Sequence, residues 1–529
     1  MKKLLALFFI SLLFVQCTSI KKHNNHLNDL ISEKDLKSDV DFVYKKLKQL
    51  HPDLYGYINK KELDYKFDSL KTTIQNPITS LAFYKKISPI IASIRQGHTY
   101  IYPPTRLMDK KETKAIIKKG TGPFSQFDFS LFNDKLYVIK NKSYNKTIKP
   151  GTEVVAVNGI KPIDLIREYN TYYSSDGYNT TLKKLYSGTR FPSYFTIENG
   201  LKDSLKYAFK WNDSIKTITI HRHKADTTGN SLQKFKRKKI VFDHSKSKSI
   251  RKKKRINGYN KAENRFSRNL RFLEKDSSVA IMKINSFKLG NFRTFYKESF
   301  NKIERNKSKN LILDLRDNGG GRLNEIVDLY SYLADSTFVF LDKSQVVSKS
   351  SLLKGAYFND GSFIEKVIKT IYSPLLYSYL LFTVHKSKNG KNYYTTETRH
   401  HKINTKSFKG KIYVLINGGS FSASSTISSN LKGSKRATFV GEETGGGYNG
   451  TVAGFMPNIK LPKSKLKIRI GLMLIAPNHK TVIHGHGIYP DKEITPTLQD
   501  RIEEIDPELN WILEDIKKQK NNKKILITN

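Results

Sequence analysis

Val414-Leu-Ile-Asn-Gly-Gly-Ser-Phe-Ser-Ala-Ser-Ser-Thr426 passes from an apolar strand pattern through a glycine turn into the start of a helix. A serine at such a helix start, here Ser422, has its hydroxyl near the positive end of the helix dipole, where neighbouring N–H groups can stabilise a developing oxyanion. Ser420, Ser422 and Ser424 could equally cap the helix. Taken alone, the stretch leaves both readings open.

A second stretch has the same grammar. Leu311-Ile-Leu-Asp-Leu-Arg-Asp-Asn-Gly-Gly-Gly321 is a buried-type strand running into three glycines and then a helix pattern. Successive glycines let backbone N–H groups approach a ligand closely, as an oxyanion hole or anion nest requires. No Gly-Lys-Ser/Thr follows, so a phosphate loop is disfavoured. Around these stretches Val279 to Ile284, Lys411 to Ile416 and Ala437 to Val440 read as further buried strands, and Leu323 to Leu333 and Ser424 to Leu431 as helices. The alternation predicts a layered α/β domain over 271–500. An insertion at 340–408 contains Leu375 to Val384, too short to span a bilayer and expected to pack as a helix over the core or near the active site. Residues 501–529 read as a polar helix with a basic tail.

Upstream, residues 35–105 carry helix-period apolar positions, among them Val40, Val43, Leu47, Phe67, Leu70, Phe83, Ile87 and Ile91. This helical domain ends in Gly97-His98-Thr99, which places His98 where a helix hands over to a strand. Residues 106–225 turn to short β runs such as Lys135 to Lys140 and Ser214 to Ile220. Within them Gly151-Thr-Glu-Val-Val-Ala-Val-Asn-Gly159 joins a strand to an Asn-Gly turn and resembles the matching turn of PDZ domains, with an ordinary hairpin as the alternative. Residues 226–270, with the dense run Lys234 to Arg255, read as a flexible basic linker.

The 529-residue, 60.9 kDa chain carries a formal charge of +47. Its Lys and Arg are spread along the whole chain without a zinc-finger, helix-turn-helix or RNA-recognition signature, so a solvated basic surface is expected and nucleic acid is not a partner. Residues 1–16 open with Met-Lys-Lys and an apolar stretch from Leu4 to Val15, an export signal. Cys17, the sole cysteine, closes it and opens a short linker, 17–34, that leads to the helical domain. This arrangement resembles a bacterial lipoprotein signal, although Gln16 and Phe14 depart from its usual residues, and an ordinary cleaved signal is the alternative. A lone cysteine excludes intramolecular disulfides.

The two glycine stretches together, in order and spacing, resemble the core of the tail-specific (C-terminal processing) serine peptidase family, with its D-L-R-x-N-x-G-G strand and N-x-G-[ST]-x-S-A-S turn. Lys435 to Thr444, Gly487-Ile-Tyr-Pro-Asp491 and His51-Pro-Asp-Leu-Tyr55 extend the likeness over roughly 35–500. The resemblance implies a ClpP/crotonase-like α/β core, a nucleophile at Ser422, and oxyanion donors at the N–H groups of Ala423 and Gly320. One departure is clear. In the lysine-dyad branch a general-base Lys occupies the position that is Gly447 here. The tricorn-like branch uses a histidine at a place matching His98, which implies His98 as the base, with activity falling below about pH 6 as imidazole protonates. That branch has a Glu where this chain has His484; Glu443, Glu442 and Asp491 are alternative orienting acids. His484-Gly-His486 and His400-His401 lack metal-ligand spacing, so neither metal nor cofactor is expected. The implied activity is hydrolysis of peptide bonds in unfolded or envelope proteins by a chain held at the bacterial envelope, periplasmic or outer-membrane, through lipid on Cys17. The alternative is a noncatalytic peptide- or lipid-binding homologue of the same fold.

Overall fold

The computed structural model describes residues 20–224, 244–260, 265–273, 276–288, 290–353, 363–394 and 398–528. The export signal and Cys17 lie outside the described residues, as do 226–243 and 261–264 of the basic linker.

The centre is a six-stranded sheet in the order Lys492–Glu493, Ala437–Gly441, Lys411–Ile416, Asn310–Asp314, Asp276–Ile284 and Arg268–Leu273. All neighbours are parallel except the last pair. Parallel strands need both faces covered, which is why these runs are apolar at nearly every position. Leu311, Leu313, Val414 and Ile416 face one layer, packed with the helices Phe292–Arg305, Leu323–Ser331 and Ala423–Gly433. Ile312, Tyr413 and Leu415 face the other, where Ile512 and Ile516 of helix Pro507–Thr528 meet them.

That helix corrects the boundary drawn at 500. The stretch read as a polar helix with a basic tail is helical, and it is the second covering layer of the sheet. Arg316, at the end of strand Asn310–Asp314, fastens it: its guanidinium donates to both carboxylate oxygens of Asp506 at 2.8 Å while also holding Asp314. The basic linker is corrected as well. Residues His244–Asn257 form a helix against Phe292–Arg305, with Ile256 buried.

Three helices, Glu33–Leu50, Lys60–Thr72 and Ser80–Ala92, form the amino-terminal unit, each capped by an Ser, Asn or Thr side chain. It docks through polar contacts. The buried Asp39 carboxylate accepts the N–H groups of Lys463 at 3.0 Å and Ser464 at 2.7 Å. Strand Tyr100–Tyr102 then pairs with Lys467–Arg469 of the core. Residues 127–221 hold a five-stranded antiparallel meander, Phe127–Phe132, Lys135–Asn141, Glu153–Val157, Ser204–Trp211 and Ser214–His221. The Asn158-Gly159 turn has positive φ at both residues, 48° and 81°, the geometry of a type I′ turn. It leads into helix Pro162–Asn170 rather than back along a hairpin, and helix Thr181–Asn199 follows.

In the insertion, helix Phe363–Thr383 touches the short strand Val384–Lys386 and the turn Ser351–Leu353. Leu380 is buried, but Ile371, Leu375 and Phe382 are exposed, so it covers less of the core than expected. Among the described residues no helix is long and apolar enough to cross a membrane.

If the carboxy-terminal helix is a structural layer, deleting its central anchor must weaken the whole core. Ile512, with no exposed surface, should cost about 2–5 kcal/mol of stability when replaced by Ala. Denaturant unfolding of Ile512→Ala measures this; an unchanged midpoint would return 507–528 to the status of an appendage.

Candidate active site

Two asparagines build the two glycine turns. Asn417 Oδ1 accepts the N–H groups of Gly419 and Asp317, both at 2.9 Å, so one side chain ties the Ser422 turn to the glycine run. Asn318 Nδ2 donates to Ile284 O at 2.8 Å, and its Oδ1 accepts the Gly320 N–H at 2.9 Å. Such side-chain bonds let a short polar residue replace strand pairing inside a turn.

Ser422 sits between this scaffold and helix Ala423–Gly433 with φ 59° and ψ −122°. A non-glycine residue in that region is strained, and such strain gathers at functional sites. Its side chain makes no capping bond. Ser420 is spent on Leu315 O at 2.8 Å, so the capping reading does not account for Ser422. The Ala423 N–H, first in its helix, has no intrahelical acceptor.

Gly320 is where the expected oxyanion pair changes. Its φ is 87°, and a Cβ there would lie 2.8 Å from both Ala423 N and Ser422 Cβ, so only glycine fits beside Ser422. Yet its N–H already donates to Asn318. The glycines of the run that line the cavity with Ser422 are Gly319 and Gly321.

His98 reaches the same cavity. Gly97 packs so tightly on Phe421 that a Cβ would meet its ring at 2.5 Å, and the His98 ring stands edge-on to Phe421 with centroids 5.0 Å apart. Its Nε2 is buried without a hydrogen-bond partner. Burial, with the nearby positive charges of Arg469 and Lys288, pushes its pKa down to about 3. The imidazole is therefore neutral well below the pH 6 limit expected from an unperturbed ring.

None of the three alternative acids joins it. Glu443 accepts the Gly487 N–H at 2.7 Å and pairs with His486 at 3.3 Å. Glu442 accepts from Thr495 at 3.3 Å, and Asp491 holds Lys432 and the Phe439 N–H. His484 does not line the cavity, and His400–His401 form a strand against Phe338–Val339. The acid brought to the His98 turn is one the sequence did not single out, Asp176. It is fully buried and accepts the N–H groups of Gly97 at 2.8 Å and Gly447 at 3.2 Å. Burial raises its pKa to about 6 against those stabilising bonds. Only the Ser174-Ser-Asp-Gly177 turn signal marked it. At Gly447 itself, a Cβ would lie 2.8 Å from Gly450 O, so the loop as folded has no room for the lysine of the dyad branch.

Residues 278–494 match peptidase family S41. Among solved structures, mature CPAF is 14% identical, with 93% of this chain and 98% of that one covered at a TM-score of 0.57. Mature CPAF complexed with lactacystin is 15% identical over 92% and 98%, with a TM-score of 0.58. The tricorn protease is 14% identical over 92% of this chain and 37% of that one, with a TM-score of 0.36, too distant to bear on the site. No curated protein gives a significant match.

The buried histidines set an acid limit on stability. His51 is also pushed down to about 3 by burial. Unfolded histidines titrate near 6.5, so the unfolded chain takes up protons that the folded chain refuses. Stability from both groups is complete above about pH 6.5 and is lost as pH falls toward the folded value. Asp176 acts in the opposite sense, gaining stability as pH falls through about 6. Two histidine shifts outweigh one aspartate, so urea unfolding should show a lower midpoint at pH 4.5 than at pH 7. His51→Leu should shrink that difference; an undiminished difference would place the acid sensitivity elsewhere.

Proposed function

Since residues 278–494 match peptidase family S41, we propose that this chain hydrolyses peptide bonds through an acyl-enzyme on Ser422. The observation that carries the reading is the strained, uncapped Ser422 at a helix start, in one cavity with the neutral His98. Ser422 Oγ attacks the peptide carbonyl as its proton passes to His98. The oxyanion rests on the Ala423 N–H and on an N–H of Gly319 or Gly321, in place of Gly320. The C–N bond then breaks as His98 gives the proton to the leaving amine, and water, deprotonated by His98, releases the acid and restores the serine.

The substrates are unfolded or envelope proteins, with the meander of 127–221 serving as a PDZ-like peptide holder by strand addition. Cys17 carries lipid and keeps the mature chain at the envelope, periplasmic or on the outer membrane. Fractionation tests this: Cys17→Ala should move the chain from the membrane to the soluble fraction, and equal membrane retention would defeat the anchor.

One observation favours a noncatalytic binding protein of the same fold: no carboxylate among the described residues orients His98. A fluorophosphonate probe separates the readings, because only an activated serine reacts readily. Wild type should label, and Ser422→Ala should not. His98→Gln should lower labelling and proteolysis by about 100-fold or more. Labelling of wild type should persist at pH 5, since the imidazole stays neutral there. An unlabelled wild type that still binds peptides would establish the binding protein.

A further inference from the structure

The cavity that holds Ser422 and His98 encloses about 700 Å³. Away from the nucleophile it is walled by tyrosines, Tyr169, Tyr173, Tyr186 and Tyr194 among them. Among the described residues three cations line it, Arg190, Arg469 and Lys288, and no Asp or Glu does. An unbalanced positive lining is costly in a partly buried space unless a ligand brings the counter-charge.

Arg190 is the most specific of the three. It lies on helix Thr181–Asn199, one turn beyond Tyr186, whose hydroxyl sits 2.9 Å from where a Cβ on Gly419 would be, beside the nucleophile turn. Its guanidinium is stacked over Tyr173 at 4.6 Å and Tyr186 at 5.0 Å. The groups acting on it are the Tyr173 and Tyr194 side chains, with no carboxylate among them. The acids on the adjoining helices are committed elsewhere: Glu168 and Glu198 both pair with Lys85, at 3.1 and 2.7 Å. Arg469 repeats the pattern nearer His98, donating to Tyr100 Oη at 3.2 Å and to the Met456 sulfur at 3.1 Å, with its Nε buried and unpartnered.

We propose that this cavity selects substrates bearing a carboxylate close to the scissile bond, with Arg190 as the specificity-determining residue. The inference rests on the peptidase reading and names its substrate class. A guanidinium held against two rings loses little freedom when it binds, and it offers a carboxylate two parallel N–H bonds. The Tyr173 hydroxyl donates to Asn170 Oδ1 at 2.9 Å and that of Tyr194 to Tyr173 at 3.4 Å, so the guanidinium N–H groups are what a carboxylate would meet on this side. Arg469 and Lys288 extend the positive potential toward the nucleophile, which draws in acidic peptides and rejects basic ones.

A panel of peptides identical except at one position tests this on the full chain. With both ends blocked, that position carries Glu, Gln or Lys; a fourth peptide carries Gln and a free C-terminal carboxylate. A charge-assisted bond should favour Glu over Gln by about 10- to 100-fold in kcat/KM, with Lys slowest. Added salt should reduce the preference. Arg190→Gln should bring the Glu/Gln ratio close to one, and Arg190→Lys should restore part of it, with thermal melting showing that both variants fold. A fourth peptide faster than its blocked Gln counterpart assigns the carboxylate to the chain terminus; a fast Glu peptide assigns it to a side chain. Equal rates for Glu, Gln and free-end peptides, all abolished by Ser422→Ala, would overturn the selectivity and leave the peptidase standing. If no peptide is cleaved and no probe labels Ser422, the peptidase reading falls. Equilibrium binding of the blocked Glu and Gln peptides then decides the carboxylate preference by itself, equal affinities overturning it.

Discussion

The carboxylate of Asp176 gathers segments from opposite ends of the chain around one buried point. Its two oxygens receive the N–H groups of Gly97, next to His98, and of Gly447, in the loop behind Ser422. In a low-dielectric interior such charge-assisted bonds are strong, and leaving either donor unpaired costs the full desolvation penalty. The turn bearing His98 and the loop behind Ser422 are thus fixed relative to each other through a third residue. Position 447 itself cannot hold a side chain without movement, because a Cβ there would lie 2.8 Å from Gly450 O.

Docking of that unit is correspondingly polar and directional. Asp39 binds two backbone N–H groups of the core, Ser80 donates to Ser464 O, and strand Tyr100–Tyr102 completes a small sheet. Apolar contact alone tolerates sliding, whereas backbone pairing fixes register. His98, two residues before that strand, inherits its position from it.

The sheet strands were legible because burial on both faces leaves an apolar signature at nearly every position, as in Leu311 to Leu315 and Lys411 to Ile416. The glycine turns were legible because strand, glycine and helix follow within a dozen residues. Other features left weaker traces. Residues 501–529 read as a polar helix, but Ile512 and Ile516 lie in a stretch otherwise rich in charge, so the face that covers the sheet did not show. Helix His244–Asn257 lay inside a run of lysines and arginines that reads as linker. Asp176 belongs to a turn whose composition is ordinary; its importance lies in partners hundreds of residues away, which no local pattern encodes. The Gly320 N–H looked available because a motif records residue types, not the neighbouring Asn318 side chain that accepts from it.

The second layer of the central sheet has a consequence for how the chain comes into being. Strand Lys411–Ile416 and the turn bearing Ser422 leave the ribosome before helix Pro507–Thr528 does. Until that helix arrives, Ile312, Tyr413 and Leu415 face water, and Arg316 lacks the Asp506 partner that draws the layer closed. Domains tend to fold as units during synthesis, so the geometry around Ser422 is completed only by residues translated after it. A nascent chain therefore carries the strand and turn of Ser422 before the layer that closes the sheet beneath them exists, and the order of translation becomes the order of assembly.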